Sequence, residues 1–405
     1  MEQSLNNNES MWNKSYVCAV LANLMLGMGM SAINPLVATY MKYLNASAQL
    51  TGFLSGMFYG VAVVFLPFAG LLMTKFDKRK LLVLVWLLGS AANVGYALFH
   101  SIPFFFAFRF LSGIQFSLIG PLLMALAGDH LPKSRLAYGL GIYGLCGAIG
   151  ASMAPALGEA ILAFGTRVKS ESLGFTLLFL SGSLIFVLAL IPTCMIAPDA
   201  KTKEDIAGAG AWYKNIFSRH AMPGGIVMLL LGIPFALIGT YMFEFAKEGG
   251  IEGASIFFLV FTVMLAVSRP LSGYFTIKLG LTRIVFPALV VFGFSTLVIG
   301  FSGTLWMMLV GAALAAIGYG SAQPSIQAMC IQSEPAIRRG VATTTMYIGY
   351  TLGLFLGPYI GGLVYARSSY SFMYKSGIIA VVLALALFAS ILPSYRRRLD
   401  ELDRA

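Results

Sequence analysis

Four charged residues interrupt long apolar stretches of this sequence, and they are the residues best placed to do chemistry. Arg109, Glu159, Glu244 and Arg269 each stand among runs of Leu, Phe, Ala and Gly. A charge in such surroundings is unfavourable unless it is paired or hydrated, so it usually binds an ion, carries a proton or ties helices together. The three histidines lie far apart, and no H-E-x-x-H spacing accompanies them. We therefore expect no metal, no cofactor and no enzyme activity.

Composition indicates that the apolar stretches are membrane spans. Hydrophobic residues make up 58% of the 405 residues and charged residues only 11%. A soluble domain carries about a quarter charged residues, so a soluble protein is excluded. At about 20 apolar residues per crossing, twelve spans would use the whole chain. We predict helices at 15–41, 47–74, 81–100, 103–129, 136–164, 173–196, 222–247, 254–277, 283–301, 304–331, 340–366 and 373–393.

The basic balance of the chain is a topology signal. The 27 Lys and Arg against 16 Asp and Glu give a net charge of +11. With both termini on one side of the membrane, 19 basic residues fall in the loops of that side and 6 in the loops of the other. This bias predicts a multi-pass protein of the inner (cytoplasmic) membrane with both termini in the cytoplasm. Membrane topology also accounts for the net positive charge of the chain, so we expect no nucleic acid partner.

The two halves of the sequence repeat each other. A polar interruption at residues 197–221 separates six predicted spans from six, and glycines and prolines of the halves match at an offset of 203. The matches include Pro67 with Pro270, Gly70 with Gly273, Gly150 with Gly353, and Pro155 with Pro358. Such a parallel repeat is typical of secondary transporters, whose substrate site lies where the repeats meet. The predicted domains are a half at 1–200, a cytoplasmic linker at 201–217 and a half at 218–405.

Several short motifs resemble those of the major facilitator superfamily. The loop at 70–80 is similar to its G-x-x-x-D-R-x-G-R-[RK] motif, and residues 109–113 to its R-x-x-x-G motif. Residues 353–362 match the G-x-x-x-G-P-x-x-G-G pattern of its drug:proton antiporters. The resemblance covers essentially the whole chain. It implies an all-α membrane protein of twelve transmembrane helices, built as two parallel-repeat six-helix bundles.

The resemblance also implies a function. The expected protein is a secondary transporter that exports a small organic or amphipathic molecule by alternating access. We expect it to be a monomer in the lipid bilayer and to use protons as its coupling ion. Proton-coupled uptake or exchange of an organic anion bound through Arg109 is the alternative. A membrane-embedded enzyme or receptor on the same fold is the alternative from another class.

Two departures from the family pattern affect the expected gate. Thr74 stands where the family loop has an acid, and Glu159 stands where the motif of the fifth span ends in Gly. The contact between halves that the loop acid normally makes must therefore come from other residues. The predicted gating residues are Gly70, Lys78, Arg79, Asp129, Arg269, Gly273, Arg338, Pro155 and Pro358.

Polar and aromatic side chains at helical spacing predict the substrate cavity. They recur at three- or four-residue steps, so each series lies on one face of its helix. The predicted substrate-binding residues are Asn34, Arg109, Tyr143, Gln323, Gln327, Tyr347 and Tyr350. Hydrogen bonding between helices is the alternative role for each of them.

The embedded charges supply the candidates for proton coupling, which are Glu159, Arg109 and Glu244. Arg109 and Glu159 lie roughly 10 Å and 8 Å from the outer ends of adjacent spans at 1.5 Å per residue, so they could pair. A purely structural anchor is the alternative for Arg109. Glu244 is three residues from the outer end of its span, so a rim position is the alternative there.

Overall fold

The computed structural model describes residues 11–132, 136–198, 217–335 and 339–404, and all regular structure in these residues is helical. Twelve of the described helices are long and apolar enough to cross a membrane, which confirms the predicted spans. They are α1 Lys14–Tyr43, α2 Ala48–Lys75, α3 Lys78–Leu98, α4 Ile102–Asp129, α5 Leu136–Val168, α6 Glu171–Met195, α7 Met222–Glu248, α8 Ser255–Leu279, α9 Leu281–Phe301, α10 Leu305–Gln332, α11 Arg339–Tyr365 and α12 Tyr370–Arg404. Residues 201–216 of the predicted linker and Arg338 lie outside the described residues.

Proline and capping residues shape individual helices. Helix α1 is interrupted by a 3-10 turn at Asn34–Leu36, because Pro35 has no N–H to donate to the helical ladder. Helix α3 begins where the Asp77 carboxylate accepts a hydrogen bond of 2.9 Å from the backbone N–H of Lys80. Asp77 of the loop motif therefore has a local role as a helix cap.

The helices form two compact units that do not follow the sequence halves. In the first unit are the described residues of Met1–Ile33, Phe68–His100 and Ile114–Gly210. In the second are those of Asn34–Pro67, Ser101–Gly113 and Ala211–Ala405. The second unit thus joins parts of α1, α2 and α4 to the C-terminal half.

In the first unit, the glycines of α5 pack against α1. A Cβ atom at Gly150 would collide with the carbonyl oxygen of Leu24, and one at Gly158 with that of Ala32. Beside this contact, the buried Trp86 donates a hydrogen bond of 3.0 Å to the Thr193 hydroxyl. Lipid supplies no hydrophobic drive between helices, so close backbone approach and hydrogen bonds provide the packing energy instead.

In the second unit, the glycines of α11 pack against α7 in the same way. A Cβ atom at Gly353 would collide with the carbonyl oxygen of Leu229, and one at Gly357 would lie 2.6 Å from that of Ile233. Gly353 is the residue that the offset of 203 relates to Gly150, so matched glycines make matched contacts in the two units. The glycine stripes therefore serve helix packing within each unit.

Many large apolar side chains remain exposed on the helices. Trp306 is 79% exposed and Phe301 and Phe164 are 63% and 62% exposed. A surface of this kind requires a hydrocarbon solvent and agrees with the twelve predicted spans.

Candidate substrate and coupling sites

Arg109 is held inside the second unit by α1 and α2. Its side chain donates hydrogen bonds to the carbonyl oxygens of Leu54 at 3.1 Å and Ser55 at 2.9 Å, and to the Asn34 side-chain oxygen at 3.3 Å. The guanidinium carbon lies 4.2 Å from the ring centroid of Phe58. Arg109 is only 3% exposed, so these contacts replace its water shell.

These contacts give Arg109 a structural role in the described arrangement. Its guanidinium connects α4 to the turn in α1 and to the backbone of Leu54 and Ser55 in α2. The predicted partners Asn34 and Arg109 are therefore in contact with each other. Glu159 belongs to the first unit, so its proposed pairing with Arg109 stays a prediction.

A salt bridge joins the two sequence halves within the second unit. The Lys42 ammonium at the end of α1 lies 2.8 Å from the Glu244 carboxylate of α7. The Glu244 side chain is only 1% exposed, whereas that of Lys42 is 55% exposed. The Glu244 side chain is therefore buried against neighbouring helices, although the residue lies near the end of α7.

The Glu244 carboxylate is incompletely satisfied. Its second oxygen, Oε1, is buried and has no hydrogen-bond partner among the described residues. Tyr370 lies close enough to interact electrostatically with the carboxylate, and its ring stacks on Tyr365 at a centroid distance of 3.9 Å. The Glu244 carboxylate therefore has one cation, Lys42, and one oxygen without a hydrogen-bond partner among the described residues.

Small residues bring α2 and α11 together at the same end of the second unit. A Cβ atom at Gly52 would collide with the carbonyl oxygen of Pro358, and one at Gly56 with that of Phe355. On the facing helix, a Cβ atom at Gly362 would collide with the carbonyl oxygen of Ala48. Parts of the first and second sequence halves thus meet in backbone contact, beside the Lys42–Glu244 pair.

An aromatic cluster occupies the interior of the second unit. The rings of Phe235 and Tyr319 stack at a centroid distance of 4.2 Å and an angle of 18°. The Tyr319 hydroxyl donates a hydrogen bond of 2.7 Å to the Tyr350 hydroxyl. The ring centroids of Phe261 and Phe235 are 6.0 Å apart. We call Phe235, Phe261, Tyr319 and Tyr350 the aromatic cluster.

Polar side chains surround the aromatic cluster. Gln323 and Gln327, one and two turns after Tyr319 on α10, are half-buried and 3.5 Å apart. Tyr347 is 38% exposed, and Arg269 is exposed and near enough to Tyr319 to interact electrostatically. The structure therefore brings together four residues predicted for substrate binding or gating, with Tyr350 as a fifth.

In the first unit, the structure gives Tyr143 a packing role but shows none for Glu159. Tyr143 is 8% exposed and belongs to the apolar core, and its carbonyl oxygen accepts a hydrogen bond of 2.8 Å from Asn23. Glu159 is half-buried, and within its own unit it makes no hydrogen bond or ion pair with a described residue.

The loop between α2 and α3 ties helix ends together inside the first unit. The Lys78 ammonium lies 2.6 Å from the Asp129 carboxylate at the end of α4. Arg79 donates a hydrogen bond of 3.1 Å to the carbonyl oxygen of Ile196, just beyond the end of α6. Cations at helix C-termini satisfy free carbonyl groups. Lys78, Arg79 and Asp129 thus stabilise one unit in the described arrangement.

The structure shows contacts for some of the other predicted gating residues and not for the rest. Pro155 and Pro358 lie inside α5 and α11, and Pro358 contacts α2 as described above. Gly70 and Gly273 fall within helices, but nothing further is described at either position, and Arg338 lies outside the described residues.

Sequence reasoning missed Lys42, Phe235 and Tyr319. Tyr319 could have been found, because it precedes Gln323 and Gln327 at four-residue steps on one helix face. On the same helix, Gly320 packs against Ser268 of α8. Lys42 had no signal beyond being a basic loop residue.

Comparison with known proteins agrees with this architecture. Residues 19–264 and 226–404 match the sequence model of the Major Facilitator Superfamily. The chain therefore belongs to the Major Facilitator Superfamily. Its twelve helices have the major facilitator fold, and it is a secondary transporter and not an enzyme.

Individual relatives are named for multidrug resistance or multi-drug efflux. Multidrug resistance protein 2 of Bacillus subtilis (strain 168) is 21% identical over 408 residues, which cover 96% of this chain and 97% of that protein. The multi-drug resistance efflux pump PmrA of Streptococcus pneumoniae serotype 4 is 23% identical over 242 residues, which cover 58% of this chain and 55% of the pump. In fold, the chain is similar to a mutant of the nucleoside transporter NupG, with a TM-score of 0.76, 12% identity, and 94% and 100% of the two chains covered.

Proposed function

We propose that this transporter exports a small organic or amphipathic molecule in exchange for protons, by alternating access. It works as a monomer in the inner (cytoplasmic) membrane with both termini in the cytoplasm. The drug-efflux names of its relatives support the direction and the substrate class. The charge asymmetry of its loops supports the topology.

The observation that carries proton coupling is the Lys42–Glu244 pair. Lys42 belongs to the first sequence half and Glu244 to the second, so opening the outer side separates them. A nearby cation favours the ionised carboxylate, whereas burial without one favours the neutral acid. Glu244 would therefore take up a proton when the pair is broken and release it when Lys42 returns.

The aromatic cluster supports an amphipathic substrate. Stacked rings offer apolar contact area, and the Tyr hydroxyl groups and the Gln323 and Gln327 amides offer hydrogen bonds. Sites of this composition accept molecules with a flat apolar body and a few polar groups.

A second candidate substrate is an organic anion, and Arg269 favours it. Arg269 is an exposed cation inside a membrane span and near Tyr319. Arg109 is less suited than Arg269 to hold such a substrate, because it is 3% exposed and its nitrogens donate to protein oxygens.

Transport into proteoliposomes, with and without an imposed pH gradient, tests the proposal. A lipophilic dye cation and an aromatic carboxylate would serve as the two probe substrates. We expect gradient-driven movement of the dye by the wild type. Glu244→Gln should retain exchange of the dye but lose its response to the gradient, because Gln mimics the protonated acid.

Two further variants make the result specific. Glu252→Gln is the matched control, since Glu252 is an exposed carboxylate in the loop after α7. Glu159→Gln tests the second candidate for the proton site. If Glu244→Gln responds to the gradient as the wild type does and Glu159→Gln does not, Glu159 carries the proton. If no variant and no gradient changes transport, the proposal of proton coupling is wrong.

A further inference from the structure

A cavity of about 230 Å³ lies in the second unit at the ends of three helices. It is bordered by the start of α7, the end of α10 and the last part of α12. Its inner wall is apolar, with Val227, Ile326, Phe388, Ile391 and Leu392. The transport proposal does not use this cavity.

Two arginines stand at its polar side. Arg219 is exposed and makes no hydrogen bond or ion pair with another described residue. Arg398 donates to the carbonyl oxygen of Ser333 at 3.2 Å and lies 3.1 Å from the carboxylate of Glu401, which is 66% exposed. His220 also lines the cavity, so three basic side chains border one small space.

The acid beside His220 already has partners of its own. Glu334 is buried, accepts a hydrogen bond of 2.5 Å from the Ser218 hydroxyl and lies 3.2 Å from His220. The Glu334 carboxylate therefore interacts with Ser218 and His220. The N–H groups of Arg219 remain available to bind a ligand. Glu401 is the one described acid paired to Arg398, and it is exposed to solvent screening.

Exposed apolar side chains neighbour the cavity-lining residues in the sequence, and we expect lipid to cover them. Phe217, Met222 and Ile226 precede or begin α7 and are 53%, 44% and 45% exposed. The charge asymmetry of the loops assigns this end of the helices to the cytoplasmic leaflet, where anionic lipids concentrate. An apolar wall beside two guanidinium groups fits a phosphodiester that carries an acyl chain, because guanidinium matches phosphate in a forked geometry.

We propose that this cavity binds an anionic phospholipid of the cytoplasmic leaflet. The headgroup phosphate contacts Arg219 and Arg398, and one acyl chain lies along the apolar wall. The bound lipid would connect the ends of α7, α10 and α12 and stabilise the C-terminal helices against one another. The inference is independent of the proposed substrate and coupling ion.

Native mass spectrometry and thermal unfolding of the purified protein test the proposal. The probes are phosphatidylglycerol, phosphatidylcholine with the same acyl chains, and inorganic phosphate. We expect phosphatidylglycerol to remain bound and to raise the unfolding temperature, and the other two to do so at least tenfold more weakly in apparent affinity. The double variant Arg219→Gln/Arg398→Gln should lose at least tenfold in affinity for phosphatidylglycerol.

A matched control separates the site from general surface charge. Arg396→Gln/Arg397→Gln removes two exposed cations from the same helix end, but neither residue lines the cavity. We expect this variant to bind phosphatidylglycerol as the wild type does. Equal losses in the two double variants would overturn the proposal, and equal binding of inorganic phosphate would show a free-anion site instead. Leu392→Trp, which narrows the apolar wall without altering charge, should weaken lipid binding and leave phosphate binding unchanged.

Discussion

Removing Lys42 should open the outer side of the transporter. The Lys42→Ala variant leaves the Glu244 carboxylate buried without its cation. Loss of one partner costs about 3–5 kcal/mol in a fully buried pair but only about 0.2–1 kcal/mol in an exposed pair. Glu244 is 1% exposed and Lys42 55% exposed, so this pair lies between the two limits. We expect the closed outer side to lose about 1.5 kcal/mol, which is roughly a tenfold shift in the equilibrium.

Distance measurements between spin labels would report the shift. Labels at Gln49→Cys and Ser368→Cys lie on exposed positions at the start of α2 and just beyond α11, in a background without the four native cysteines. In Lys42→Ala, the population with the longer distance should rise about tenfold relative to the shorter one, following the estimate above. Lys247→Ala is the control, since Lys247 is an exposed cation at the end of α7. It should leave the distribution unchanged.

A second substitution identifies the cause. Adding Glu244→Gln to Lys42→Ala removes the unpaired charge and should return the distribution toward that of the wild type. Tyr365, Tyr370 and Glu248 are the other titratable groups that interact with this pair, and their variants should not reproduce the effect. An unchanged distribution in Lys42→Ala, or an equal shift in Lys247→Ala, would refute the reasoning.

Three further predictions concern packing, the aromatic cluster and stability. Gly353→Val should lower the unfolding temperature and the yield of purified protein, because its Cβ would meet the carbonyl oxygen of Leu229. Gly239→Val is the control and should leave both unchanged, because a Cβ there has no atom within 4 Å. Thermal unfolding in detergent compares the two variants. Tyr350→Phe removes the hydrogen bond between the Tyr319 and Tyr350 hydroxyl groups, which is worth about 1 kcal/mol. We therefore expect an approximately fivefold rise in the KM of dye transport with little change in kcat. An unchanged KM would make this hydrogen bond purely structural. Burial lowers the pKa of His100, so the folded protein favours the neutral ring and loses stability as the pH falls below about 6.5, the unfolded value. The His100→Gln variant should show a smaller drop in unfolding temperature between neutral and acidic buffer, and an equal drop would contradict this assignment.

The substrate-binding role of the residues chosen from sequence stays a prediction, and the structure shows only where they lie. Gln323, Gln327, Tyr347 and Tyr350 do surround one region of the second unit, because helical periodicity fixes which residues share a face. The same periodicity cannot tell which helix that face meets. Asn23 and Asn34 of α1, for example, connect helices to each other through the Tyr143 carbonyl oxygen and the Arg109 guanidinium.

The sequence by itself determined the membrane class, the twelve spans, the internal repeat and the family. Each of these depends on local quantities, namely the length of apolar runs and the order of glycines and prolines, which the chain carries whether or not it is folded. The tertiary structure alone decided the partners of the embedded charges. Arg109 donates to the backbone oxygens of Leu54 and Ser55, and backbone oxygens have no residue signature. The depth of Glu244 depends on the helices packed around it, and its cation Lys42 stands far away in the sequence. Burial and pairing depend on contacts that folding makes between residues distant in the sequence. The spacing of residues along one helix therefore cannot predict them.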